Sequence, residues 1–118
     1  LIPYDSRYGI YRLGDLKAMH GYKHGLHAAT QHARTYGPSL FGHAHTSQDI
    51  TLEHIDDVRA IACPAMCKLD MTYLDKSCAK LRHRQGWVCG RYHEKSGLWD
   101  AWTIRRAPCG TFLYPANL

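Results

Sequence analysis

A chain of 118 residues is long enough for one domain with a core of its own and needs no disulfide framework. With 45% apolar and 21% charged residues it is excluded from the disordered class, and no apolar run approaches bilayer-spanning length. The formal charge of +5 and a pI near 9.0 point toward anionic partners, either phosphate esters or nucleic acid.

Cysteines stand at 63, 67, 78, 89 and 109, an odd number whose spacing is not that of a secreted scaffold. Cys63 and Cys67 form a C-x3-C pair with no second pair to complete a four-thiolate zinc site. Reduced, buried thiols and a cytoplasmic location are therefore expected. No signal peptide is visible. The chain begins with Leu1 rather than Met, which suggests a fragment or a processed product.

In chain order, an irregular lead-in gives way to an alternating strand over 8–13, a turn at Gly14-Asp15 and a short strand over 16–19 that delivers His20 at its end. Residues 21–25 form a loop. A helix is predicted over 26–36, with Leu26, Ala29, Thr30, Ala33 and Tyr36 on its apolar stripe and His32 on its surface. Gly37-Pro38 stops it. A buried strand over 39–41 follows, ended by Gly42, which lets the backbone turn. Strand, helix and strand with short joints predict a βαβ unit with parallel strands. Further on come a strand over 50–55, a tight turn at Asp56-Asp57 and its hairpin partner over 58–63. Residues 70–84 are polar and ambiguous. A second hairpin pairs 87–93 with 98–104 around the turn 94–97, with Gly97 where a positive φ is wanted. Trp87, Trp99 and Trp102 are expected in core and cross-strand packing. Residues 108–118 read as a tail.

The chemistry gathers in the histidines. His43 and His45 share one side of an extended segment, and His20 ends the neighbouring strand. Ligands of α/β sheets collect at the carboxyl ends of strands, and imidazole binds zinc, manganese, iron or nickel through one nitrogen. Asp49 follows closely and could orient a ligand histidine from behind, or simply sit in a turn. Arg82, Arg84, Arg105 and Arg106 could grip phosphate, or form a solvated face.

His20-Gly21 after a strand, the helix holding His27-Ala28-Ala29, and Gly42-His43-Ala44-His45 resemble the calcineurin-like metallophosphoesterases, close to the phage and bacterial members. Cys63-Pro64-Ala65-Met66-Cys67-Lys68-Leu69-Asp70-Met71-Thr72-Tyr73, followed by Gln85-Gly86-Trp87 and a hairpin, is similar to the segment that follows in phage-type members. The likeness runs over about residues 8 to 107. It implies an α/β fold, half of an αββα sandwich, β-rich with one main helix. By the same resemblance His20 and His43 would hold one divalent metal ion and His45 another, in an enzyme that hydrolyses phosphate mono- or diesters. The three histidines would be ligands, and a metal-activated water the nucleophile.

The family's earlier half, which carries Asp-x-His, Gly-Asp and Gly-Asn-His-Asp or Glu motifs, has no counterpart here. The single asparagine is Asn117, and Gly14-Asp15 lies too close to His20 to replace the missing Gly-Asp. The chain thus looks like the carboxyl-terminal half of such an enzyme or a shortened relative. Weak or absent turnover is expected of it alone, with a missing amino-terminal half or self-association completing it, and no membrane partner. The alternative is a catalytically inactive basic domain that binds nucleic acid or a protein partner. A third reading is one structural zinc held by three histidines and a thiol or water.

Overall fold

The computed structural model describes residues 9–22, 25–43, 46–53, 57–65 and 84–114. Among them are eight strands in two sheets and one helix, so the protein is mixed α/β and strand-rich. The first sheet holds β1 (Ile10–Leu13), β2 (Leu16–Met19), β3 (Ser39–Phe41), β4 (Gln48–Leu52) and β5 (Val58–Ala62), in the order β1-β2-β3-β5-β4. β2, β3 and β5 run parallel, while β1 and β4 close the edges as antiparallel hairpin partners. The helix α1 (Ala28–Tyr36) connects β2 to β3, so the predicted βαβ unit is present with both strands at their predicted bounds.

α1 packs on β3, β4 and β5. Ala28, Ala29 and Ala33 meet Phe41, Ala60 and Ala62 in one buried cluster, with Met19, Ile50, Leu52 and Val58 around it. Small helix residues let the backbone lie close to the sheet, and Phe41 fills the space left beneath. The helix begins two residues later than expected, and Leu26 is exposed outside it. Its N-cap residue, His27, makes no side-chain capping bond. Instead Gln48 Oε1, from β4, accepts the Ala29 N–H at 3.0 Å, while Gln48 Nε2 donates to the Gly25 carbonyl at 2.8 Å. A cap supplied from across the sheet sets the helix start where that strand reaches it. At the other end Lys17 Nζ donates to the Tyr36 carbonyl at 2.9 Å and Gly37 turns the chain with φ 76°.

The second sheet is β6 (Gly86–Tyr92), β7 (Trp99–Arg106) and β8 (Phe112–Leu113), all antiparallel. The expected hairpin forms, with Gly97 at φ 76°. β8 corrects the reading of 108–118 as tail: Phe112 pairs with Arg106 and packs on Trp87 at 4.8 Å between rings. Register puts Leu16, Leu40 and Ile61 on the sheet face opposite α1. Leu16 and Leu40 line, with Val88 and Ala101, a cavity of about 190 Å³ between the sheets. Arg59 joins the two sheets. It holds Asp49 with two hydrogen bonds of 2.8 and 2.7 Å, reaches Asp100 at 2.9 Å and the Ala101 carbonyl at 2.6 Å. Its guanidinium also lies over the Trp99 ring, 5.5 Å from the centroid. No helix among the described residues is long and apolar enough to cross a membrane.

Candidate metal centre

β2 and β3 are neighbours and parallel, so their carboxyl ends open on the same edge of the sheet. Met19 pairs with Phe41, and the next residues are His20 and Gly42-His43. The His20 carbonyl accepts both the Gly42 N–H at 3.0 Å and the His43 N–H at 2.8 Å. That double acceptance ties the two strand ends together. It brings His20 Nε2 and His43 Nδ1 to 3.0 Å, with ring centroids 5.1 Å apart and the rings tilted by 60°. His20 is exposed and His43 half-buried, so the pair opens to solvent.

The glycine that permits this approach is Gly21, not Gly42. Gly21 has φ 98°, and a Cβ there would lie 3.0 Å from Phe41 Cβ and 3.1 Å from His32 Nε2. Gly42 has no positive φ, and a Cβ there would meet nothing within 4 Å. The floor beneath Gly21 is His32, which corrects its expected place on the helix surface: it is fully buried. Its ring stacks on Phe41 with centroids 3.7 Å apart. His32 Nδ1 donates to the Ala28 carbonyl at 2.8 Å, and its Nε2 accepts the Tyr22 N–H at 3.2 Å. Those partners fix a neutral ring with its proton on Nδ1. His32 thereby pins the loop that leaves His20, one residue beyond Gly21.

Two imidazole nitrogens 3.0 Å apart suit one metal ion. Metal–nitrogen bonds of ~2.1 Å set neighbouring ligand atoms ~3.0 Å apart at a right angle and ~3.4 Å apart at a tetrahedral one. The donor set therefore fits a divalent cation of the imidazole-binding class. Without metal the same contact is a hydrogen bond whose direction follows the tautomers. His45 lies outside the described residues. Among the described residues no group of three or more His, Cys, Asp or Glu gathers to hold a metal. Cys63 follows the third parallel strand, but its thiol meets the Val88 backbone, and burial pushes its pKa up.

Asp49 lies within β4, not in a turn, and its carboxylate is taken up by Arg59. Hydrogen bonding to Asp49 is the main cause that raises the Arg59 pKa further, against the opposing effect of burial. Arg82 lies outside the described residues. Arg84 lines a basic cavity with Arg105 and Arg106. Two residues that position the site escape sequence reasoning: Gln48, for which an uncapped helix start at His27 is the available signal, and His32, for which none exists beyond its helical spacing from Ala28.

No protein-family model, no curated protein and no solved structure matches this chain.

Proposed function

We propose that this chain carries part of a divalent-metal centre for hydrolysis of phosphate mono- or diesters, in the manner of the calcineurin-like metallophosphoesterases, as half of their αββα sandwich. The observation that supports it is the 3.0 Å approach of His20 Nε2 and His43 Nδ1 at the carboxyl ends of adjacent parallel strands. His20 and His43 would hold one ion, and His45 remains the proposed ligand of a second. A bound divalent ion supplies a nucleophilic water near neutral pH and charge to offset the phosphoryl oxygens.

The chain's own residues do the positioning. The His20 carbonyl fixes the two strand ends, Gly21 keeps the turn tight, and His32 with Phe41 forms its floor. Asp49 is committed to Arg59, so it brings no charge balance to the histidines. A carboxylate from a further segment, or from a second polypeptide, is the missing part, and turnover by this chain alone is weak.

The direct test is hydrolysis of bis(p-nitrophenyl) phosphate with manganese, zinc, iron or nickel added. A slow, metal-dependent rate that His20→Ala and His43→Ala each abolish is expected. A rate that survives both substitutions would sink the assignment.

A further inference from the structure

Away from the histidines, the cavity of about 190 Å³ between the two sheets is lined by Leu13, Leu16, Leu40, Val88 and Ala101, with Tyr92 beside them. Its walls follow from strand alternation. Leu16 and Leu40 share the face of the first sheet turned away from α1. Across the gap, Val88, Gly90 and Tyr92 share one face of β6, and Ala101 pairs with Gly90 from β7. The leucines thus face a glycine and an alanine, and space is left unfilled. Gly90 cannot take it up, because a Cβ there would lie 2.6 Å from the Asp100 carbonyl oxygen.

Two joints keep the sheets from collapsing onto this space. At one, the Asp15 N–H donates to the Gly97 carbonyl at 2.9 Å. Gly14, at φ 65°, comes so close that a Cβ on it would stand 2.8 Å from the same oxygen. At the other, Arg59 of β5 reaches Asp100 and the Ala101 carbonyl of β7 at 2.9 and 2.6 Å. Leu13 adjoins the first joint, Asp100 and Ala101 carry the second, and all three line the cavity. The space is therefore part of the fold, held open from both joints before any ligand arrives. Tyr92 lines it and is 44% exposed, so the cavity reaches the surface there.

We propose that this inter-sheet cavity binds a small neutral aromatic molecule of one or two rings. Drug-sized ligands occupy roughly 300–1,000 Å³, so only a smaller molecule fits. A cavity of about 150 Å³ walled by aliphatic and aromatic side chains stays dry and accepts benzene, which sets the scale. Asp100 is already engaged by Arg59, so the aliphatic walls set the preference, and they favour a neutral guest over a charged one. The Tyr92 ring offers a face or an edge to a second ring, which separates aromatic from alicyclic guests. The site uses none of the histidines and does not depend on the metal reading.

Titration of the whole chain, followed by amide NMR, tests the proposal with phenol, indole and cyclohexanol as probes. Phenol and indole should bind saturably and shift the amides of Leu40, Val88 and Ala101. Phenol should bind about threefold or more tighter than cyclohexanol, which has the same size and hydroxyl but no ring current or quadrupole. Ala101→Leu and Val88→Phe each fill the space with carbon. Whichever keeps the folded amide spectrum should weaken phenol binding roughly tenfold or more. Leu40→Ala enlarges the cavity and should move the preference from phenol toward indole, which decides the matter even if both filling variants misfold. Leu26→Ser removes an exposed leucine elsewhere and should change affinity less than about twofold. No saturable binding, unchanged affinity in a folded filling variant, an unmoved preference in Leu40→Ala, or cyclohexanol binding as tightly as phenol would each overturn the proposal.

Discussion

His32 shows how one residue can set a site that it does not join. It is a polar residue with no exposure, both ring nitrogens bonded, and its face stacked on Phe41. Truncating it opens a cavity under Gly21 and removes the 3.2 Å hydrogen bond from the Tyr22 N–H to the ring. His32→Ala should therefore cost about 3 kcal/mol in urea unfolding. A loss under about 1 kcal/mol would mean the ring is not the floor of the turn. The sequence could not reveal this, because a histidine at a helical position is ordinarily read as solvated, and nothing local marks its two backbone partners. The same blindness assigned the turn to Gly42: Gly-His-x-His is conspicuous as a string, while the demand for a positive φ arises at Gly21 from contacts with a helix and a strand. Reactivity among the thiols also follows surroundings. Burial pushes Cys63 up, whereas hydrogen bonds with Thr111 hold the exposed Cys109 below the ordinary thiol range.

At the level of elements, the βαβ unit was legible because its signals are local. Short apolar runs ended at His20 and Phe41, and Gly37-Pro38 broke the helix between. The helix start was less legible, since its cap comes from β4 rather than from the adjoining chain. Gln48→Ala should remove about 1 kcal/mol of helix stability. It should also speed hydrogen exchange at the Ala29 amide, leaving that of Gln31, which donates to the His27 carbonyl, less affected. Unchanged protection at Ala29 would show that the cap is dispensable. β8 was missed because two residues carry no periodicity. It becomes a strand only because β7 extends far enough to pair with it and Phe112 finds Trp87.

Across the whole molecule, two sheets are held in fixed relation by Arg59. The Asp100 arm is largely exposed, at 75% for the carboxylate side chain, and contributes little. Asp49 is the less exposed of the two carboxylates, at 41%, and the bond to the Ala101 carbonyl is part-buried. Arg59→Lys cannot span three acceptors on two strands and should cost about 1–2 kcal/mol, against under about 0.5 kcal/mol for Asp100→Asn. Equal costs would place the joint at Asp100 instead. Asp49 was read as a possible neighbour of the histidine motif because it follows in sequence. Strand alternation sends it instead to the face that meets the second sheet.

His20 and His43, 3.0 Å apart, are proposed to act as one metal-holding pair. The most direct measurement is elemental analysis of the purified chain after exposure to manganese, zinc, iron and nickel, beside a His20→Ala, His43→Ala double variant. Retention of about one divalent ion per chain, lost in the double variant, is the predicted result. Equal metal in both proteins, or none in either, would contradict it.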